Sequence, residues 1–261
     1  MSIKISPQSF VHEDAQIGDG VVIEPFSYIG PNVKIGDRTW VGPNSNIMDR
    51  TSIGADCKIF PGAVIGAEPQ DLKFSNEPTN VVIGNRTVIR ECVTIHRATV
   101  DRHNTVVGDD CLIMAYVHVA HDVHIGNNVI IANAVNIAGH CTVDDWAIVE
   151  GMVGVQQFVR IGSHAFVAGG SLVRKNVPPY VKAAREPLSF IGVNSIGLRR
   201  RGFLQDRIQR IEDIYRTLYV QNVNMSQALK VADVEFPKCE EKDLVLDFIR
   251  ESDKGIIRGP F

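Results

Sequence analysis

Residues 107–143 read VGDDCLIMAYVHVAHDVHIGNNVIIANAVNIAGHCTV, and in them Val107, Ile113, Val119, Ile125, Ile131, Ile137 and Val143 stand six residues apart. That spacing is neither the period of a helix nor the simple alternation of a strand, so it marks a repeated fold unit. It also runs upstream from Val11 to Ile65, reappears at Ile83, Ile89 and Ile95, and continues to Val173, giving twenty-five hexapeptides without exception inside the three runs. Two residues before each aliphatic the side chain is small or short, as at Ala15, Ser27, Thr39, Cys57, Cys111, Val117, Cys141 and Ala165. Side chains alternate along a strand, so these two positions share one face and fill one interior. The corners between them are rich in Gly, Asn and Asp (Gly18-Asp19-Gly20, Gly126-Asn127-Asn128), residues that tolerate positive φ. Three short strands per turn of eighteen residues predict a triangular parallel β-helix. Stacked at roughly 4.8 Å, about eight coils make a prism on the order of 40 Å long.

The chain has 261 residues, 44% hydrophobic, with a net charge of −3. It is long enough for one large domain and a small one, and it carries no basic excess to favour nucleic acid. No apolar run approaches the length of a membrane span, and MSIKISPQSF lacks the apolar core of a signal peptide. Of the five cysteines, Cys57, Cys111 and Cys141 occupy the small interior position, while Cys92 and Cys239 form no metal-like spacing with them. A reducing, cytoplasmic compartment is expected.

Two polar segments break the repeat, Ala67–Pro78 and Arg97–Asn104, and read as surface loops ejected from corners, where binding elements often sit. Val177-Pro178-Pro179-Tyr180 is expected to end the coil, dividing the chain into a β-helix over residues 1–186 and a helical region over 187–261. In that second region Leu204, Ile208, Ile211, Ile214, Tyr215 and Leu218 recur at helical steps. A second helix is expected over Ser226–Ala232, capped by Asn224 or Ser226, and a third from Glu240 or Glu241 to Arg250. This tail can cover the open end of the solenoid, whose last strands would otherwise present unpaired edges.

Four of the eight histidines, His118, His121, His124 and His140, fall within one coil and the start of the next. With eighteen residues per coil, His121 stacks under Gly139 and Gly139 under Gln157, while Asp122 stacks under His140. His121 and Asp122 are expected on a corner that projects outward. Acyl transfer to a hydroxyl needs a base that titrates near neutrality, a carboxylate to orient it, and a donor for the oxyanion. His, Asp and a glycine corner supply that set. The alternatives are solvated surface histidines, a purely structural or ice-binding solenoid, or zinc held by three histidines of adjacent edges; no metal is expected here.

Several stretches carry a resemblance: Gln70-Asp71-Leu72-Lys73, Val93-Thr94-Ile95-His96-Arg97, His118-Val119-Ala120-His121-Asp122, Ala138-Gly139-His140, Gln157-Phe158, Asn176-Val177-Pro178-Pro179-Tyr180, Gly192-Val193-Asn194 and Arg200-Arg201-Gly202-Phe203. In order and spacing they resemble the hexapeptide acyltransferases, and among these the UDP-N-acetylglucosamine O-acyltransferases that begin lipid A synthesis. The resemblance implies a mainly β protein, a left-handed parallel β-helix followed by a small α-helical C-terminal domain, an exception to the right-handed crossover rule. It implies a homotrimer with clefts between prisms. It implies transfer of an (R)-3-hydroxyacyl group from acyl carrier protein to the 3-hydroxyl of UDP-N-acetylglucosamine. No cofactor is implied beyond the carrier thioester as co-substrate. On this likeness His121 is the general base, Asp122 its partner and Gly139 the oxyanion donor. Asp71, Lys73, His118, His140 and Gln157 contact substrate, and Asn194, Arg200 and Arg201 serve the uridine diphosphate from the adjacent subunit. Gly169 marks the end of the acyl groove. Two departures stand out: Gln156 replaces a histidine common in the family, and Ile196 replaces a carboxylate often found near the nucleotide. The N-acyltransferase of the same pathway is the nearest alternative, but it carries a uridine-binding domain before its repeats, whereas here the repeat begins at Val11. A non-catalytic scaffold would not need the His121–Asp122 corner.

Overall fold

The computed structural model describes residues 2–221 and 224–259. Each hexapeptide folds into a two-residue strand and a corner, and the strands stack into three parallel sheets. The first face has eleven strands, from Lys4–Ile5 to Ser189–Val193; the second has nine, from Phe10–Val11 to Leu172–Val173; the third has eight, from Gln16–Ile17 to Arg160–Ile161. Regular coils pair residues eighteen apart, as in His118↔Asn136 and Ile130↔Ile148. The two loops lengthen their coils, so Ile65 pairs with Ile95 and Ile95 with Val119.

The interior follows from the pattern. Ile29, Ile47, Ile59, Ile89, Ile113, Ile131 and Ile137 are fully buried, as are the small residues Val33, Ala63, Val117, Val135 and Ala147. Where the small residue carries a hydroxyl or thiol, it donates inward to the backbone of the coil above: Ser27 Oγ to Gly42 O at 2.9 Å, Thr39 Oγ1 to Gly54 O at 2.8 Å, Cys111 Sγ to Gly126 O at 3.0 Å. Ser, Thr and Cys are therefore tolerated in the core because each has a partner.

The corners hold a residue in the left-handed region, and not only Asn and Asp: Phe26, Arg38, Tyr116, Trp146 and Phe158 all have φ between 58° and 67°. The conformation costs a side-chain-bearing residue roughly 1–2 kcal/mol. It lets the corner N–H reach the corner carbonyl of the coil below, as in Tyr116 N to Glu91 O at 2.9 Å and Trp146 N to Asn127 O at 2.9 Å. Gly66, where the first loop leaves the prism, has φ +89°, and a Cβ there would lie 2.2 Å from Thr51 Oγ1. Only glycine fits that exit.

The prism extends further than the pattern suggested at both ends. Ile5 keeps the six-residue spacing, but its strand is exposed because no coil lies beneath it. Beyond Val173, Val177 bridges to Ile161, and Val181–Ala184 pairs with Phe166–Val167 before an antiparallel strand, Ser189–Val193, joins the first face. Helix α1 (Ser195–Arg200), absent from the sequence reading, follows, then α2 (Gln205–Arg216) running into a wide π-turn at Thr217–Gln221. Helices α3 (Met225–Glu235) and α4 (Glu240–Arg250) complete the region, with the Asn224 side chain accepting from Ser226 N at the start of α3. Tyr215 is fully buried, and its hydroxyl donates to Pro179 O at 2.6 Å, seating α2 on the last coil. The tail then covers the open edge: Ile257 N donates to Asn176 O at 2.9 Å and Phe190 N to Arg258 O at 2.9 Å.

The two residues of the Lys58–Ile59 strand face opposite ways, Lys58 outward and Ile59 fully buried. Ile59→Ala is expected to cost about 2–5 kcal/mol by transfer and cavity terms. Lys58→Ala is expected to stay within about 0.5 kcal/mol. Denaturant unfolding of the two variants checks this; similar losses would mean that the interior does not carry the stability.

Candidate active site

His121 and Asp122 occupy the corner between the second and third faces. This corner does not project outward as expected: His121 is 8% exposed and Asp122 0%, because the loop from Arg97 to Asn104 folds over it. His121 Nδ1 lies 2.8 Å from Asp122 Oδ2. A carboxylate oxygen only accepts, so Nδ1 carries the proton and Nε2 of the neutral ring is left with its lone pair. Burial pushes the Asp122 pKa up, but hydrogen bonds from His121, Thr99 and Arg102 outweigh it and hold the carboxyl well below the usual range. The coil above supplies Gly139, whose missing side chain makes room for the imidazole: a Cβ there would sit 2.6 Å from His121 Cε1 and 2.7 Å from Nε2.

A cleft of about 560 Å³ runs along the second face beside this corner, lined by Gln70, His96, His118, His121, Gly139, Gly154, Gln156, Leu172 and Arg174 among others. His118 Nδ1 is 2.8 Å from Thr94 Oγ1, and its ring meets that of His96 edge-on at 4.7 Å. Burial, then the neighbouring His121, lowers the His118 pKa. The same causes, with His118 added, push His96 down to about 4. His96 Nδ1 is buried and has no hydrogen-bond partner among the described residues. The motif that contains His96 gave no sign of it as a cleft residue; it follows the inward-facing Ile95 on the strand Thr94–His96 and so turns to the outer face, where the cleft runs.

The remaining candidates divide by location. His140 lies on the other flank of the corner, stacked on Phe158 at 4.7 Å, with Nε2 3.8 Å from Asp122 Oδ2. Its Nδ1 is 2.9 Å from Asp101 Oδ2 without the alignment of a hydrogen bond. His124 turns to the third face, where Nε2 is 3.1 Å from Asn104 O. Asp71 and Lys73 sit on the first loop, Lys73 N donating to Asp71 Oδ1 at 3.0 Å, while Gln70 of that loop reaches the cleft. Gln157 is exposed on its corner, and Gln156 lines the cleft in its place. Asn194 is buried and engaged within its own chain: Oδ1 accepts from Gly197 N at 3.3 Å, and Nδ2 donates to His164 O at 3.0 Å. Arg201 packs over Trp146 at 5.3 Å and lies 3.2 Å from His164 Nδ1. Arg200 is exposed on α1 beside it, as is Ile196. Gly169 is exposed on the corner between the first and second faces.

One ligand atom each from His121, Asp122 and His140 lie within 4.8 Å of one another, close enough to raise the question of a metal ion. The donor chemistry argues otherwise, since Asp122 Oδ2 already accepts from His121 and from Thr99 Oγ1 at 2.7 Å. The set reads as a hydrogen-bonded dyad beside a third imidazole. Among the described residues no helix is long and apolar enough to cross a membrane.

Known proteins match along most of the chain. A family model described as UDP N-acetylglucosamine O-acyltransferase, domain 2, matches residues 176–257, and the bacterial transferase hexapeptide model matches residues 104–139. The acyl-[acyl-carrier-protein]–UDP-N-acetylglucosamine O-acyltransferase of Burkholderia mallei is 44% identical over 197 residues, 73% of this chain and 74% of that one. The solved UDP-N-acetylglucosamine acyltransferase of Bacteroides fragilis is 46% identical with a TM-score of 0.96, covering 97% of this chain and 100% of that one. That of Francisella novicida is 39% identical with a TM-score of 0.95, covering 98% and 94%.

The buried imidazoles generate a pH prediction. His96 and His164 are both pushed down to about 4, chiefly by burial, so the folded state keeps them neutral where the unfolded chain protonates them near the ordinary 6.5. The unfolded state then binds more protons, so stability rises with pH across this range and is lost as pH falls. Their contribution is complete above about 6.5 and lost as pH falls through about 4. The melting temperature should be flat near neutrality and drop across that window, with a shallower drop in the His96→Gln/His164→Gln double variant. A wild-type Tm independent of pH between 6.5 and 4 would mean that neither ring is held neutral.

Proposed function

This chain belongs to the UDP-N-acetylglucosamine O-acyltransferase family, and from that we propose that it passes an (R)-3-hydroxyacyl group from acyl carrier protein to the 3-hydroxyl of UDP-N-acetylglucosamine, the first step of lipid A synthesis. The observation that carries the reading is the His121–Asp122 dyad at 2.8 Å, set beside a cleft of about 560 Å³ that His121 lines. In the reaction the sugar hydroxyl attacks the thioester carbonyl while His121 Nε2 takes its proton. Asp122 stabilises the imidazolium as it forms, and the Gly139 N–H donates to the oxyanion. On collapse the C–S bond breaks, and the imidazolium returns its proton to the departing pantetheine sulfur. The reaction closes without a cofactor. In this reading His118 and Gln156, which line the cleft, contact the substrate, while Asp71 and Lys73 on the first loop and His140 and Gln157 on the corner stand outside its lining.

We propose that the working form is a homotrimer in the cytoplasm, where the carrier thioester is the donor. Asn194 and Arg201 pack on the corner that holds His164 and Trp146, away from the one that holds His121. A nucleotide held by Arg200 and its neighbours therefore meets the His121 of a different prism. Arginine suits that role because its planar fork pairs with diphosphate oxygens. Asn194, whose amide is engaged in capping, acts by shaping this turn.

Purified protein is expected to turn over UDP-N-acetylglucosamine with 3-hydroxyacyl carrier proteins, the ester detected by mass. His121→Ala should lower kcat by roughly 10²–10⁴-fold or more while leaving assembly intact, with Gln156→Ala far milder. Near-normal turnover in His121→Ala would remove it as the base, and a stable active monomer by light scattering would end the trimer reading.

Gly169 is exposed and outside the left-handed region, unlike Gly170 at φ +70°, so a side chain at 169 requires only a small shift from Gly151 O at 3.2 Å. A long donor should be preferred, and Gly169→Met should shift preference to a shorter one. Each buried methylene is worth about 0.8 kcal/mol, close to fourfold in kcat/KM. An unchanged ratio between long and short donors in the folded variant would show that the acyl chain does not end there.

A further inference from the structure

The second loop interrupts the solenoid one coil below the His121–Asp122 corner. In uninterrupted columns the corner N–H bonds the corner carbonyl beneath it, as His140 N does to His121 O at 3.1 Å. Asp122 N has no such carbonyl and donates instead to Thr105 Oγ1 at 2.9 Å. The insertion thus replaces a regular corner with groups aimed at the carboxylate. Thr99 N lies 3.1 Å from both Asp122 oxygens, Thr99 Oγ1 donates to Oδ2 at 2.7 Å, and Arg102 N donates to Oδ1 at 3.1 Å. The Arg102 guanidinium does not pair with the carboxylate; it donates to Asp122 O at 3.0 Å and reaches Cys141 O at 3.4 Å, tying the loop to two successive coils.

We propose that Thr99 and Arg102 are positioning residues for the reaction, the loop that carries them clamping Asp122 so that its charge and its aim are available to His121. This rests on the reading of His121 as the general base. The physical reason lies in the kind of donor. Among the described residues the ionisable side chains paired with the Asp122 carboxylate are imidazoles, His121 at 2.8 Å and His140 at 3.8 Å. A buried carboxylate must have hydrogen bonds. Here neutral N–H and O–H groups supply them, so no fixed cation spends the charge before the imidazolium forms. An arginine pairing directly would have kept the carboxylate ionised equally well but weakened its field at His121. Three donors from one loop also fix both oxygens, which holds Oδ2 in line with Nδ1. Insertion loops elsewhere in the prism make no comparable contact with a buried carboxylate among the described residues.

The test is steady-state kinetics of the assembled protein with UDP-N-acetylglucosamine and a 3-hydroxyacyl carrier protein. Thr99→Val keeps the shape and removes the hydroxyl donor; kcat should fall roughly tenfold, the loss typical of a hydrogen bond to a charged group, with both KM values within about twofold of wild type. Thr99→Ser should restore most of the turnover. Arg102→Ala should lower kcat in the same manner, and His103→Ala, on the exposed tip of the same loop, should leave it unchanged. The proposal is overturned if Thr99→Val keeps wild-type kcat, or if it raises KM and lowers Tm with kcat unaffected by the serine variant, the behaviour of a residue that only stabilises the loop. Wild-type protein that turns over these substrates and loses turnover in His121→Ala keeps the functional reading standing in either case. Equal activity in His121→Ala would instead overturn that reading and the clamp with it.

Discussion

Each coil is held to the next by backbone hydrogen bonds between strands whose paired residues stand eighteen apart wherever no loop intervenes, and the interior between them admits one branched aliphatic and one small residue per strand. A slip of one residue would turn every aliphatic to solvent, so register is strongly specified wherever the repeat is unbroken. The pairing also converts sequence distance into spatial distance. Residues eighteen apart become neighbours on one edge, and this brings Gly139 against the His121 ring and His140 toward Asp122.

The same rigidity explains why chemistry collects where the repeat is broken. Regular corners hold charged side chains only at the surface, as Asp19 N holds Asp37 Oδ1 at 2.9 Å and Asn127 N holds Asp145 Oδ1 at 2.7 Å. The loop over residues 97–103 breaks the pattern and supplies Thr99 and Arg102, which together with Thr105 bury Asp122 completely while keeping it ionised. Gly66 serves a related purpose at the other interruption, since its left-handed backbone and lack of a Cβ let the first loop depart without displacing Thr51. The first loop reaches the cleft through Gln70.

The cleft's electrostatics follow from burial. His96 is kept neutral, and burial shifts His118 toward its neutral form, so these two cleft imidazoles oppose protonation of His121 less than free histidines would. The acidic partner lies on the far side of the His121 ring. The base is therefore flanked by neutral groups toward the cleft and by a carboxylate behind it, an arrangement suited to accepting a proton from a hydroxyl.

The six-residue spacing by itself determined the β-helix, its interior and the stacking of Gly139 on His121, because periodicity survives without any knowledge of the chain's partners. A separate three- and four-residue apolar period placed the helices at Gln205–Arg216 and Glu240–Arg250. The short helix Ser195–Arg200 left no such signal, having one buried residue, Leu198. Ile5 fits the spacing but lacks a neighbour to bury it. Tertiary structure alone decided that the His121 corner is covered, that Gln156 and His96 rather than Gln157 line the cleft, and that the Asn194 amide is engaged in capping. Those facts depend on where two aperiodic loops and a tail fold back, and no repeat specifies the path of a segment whose contacts are made with residues from other coils.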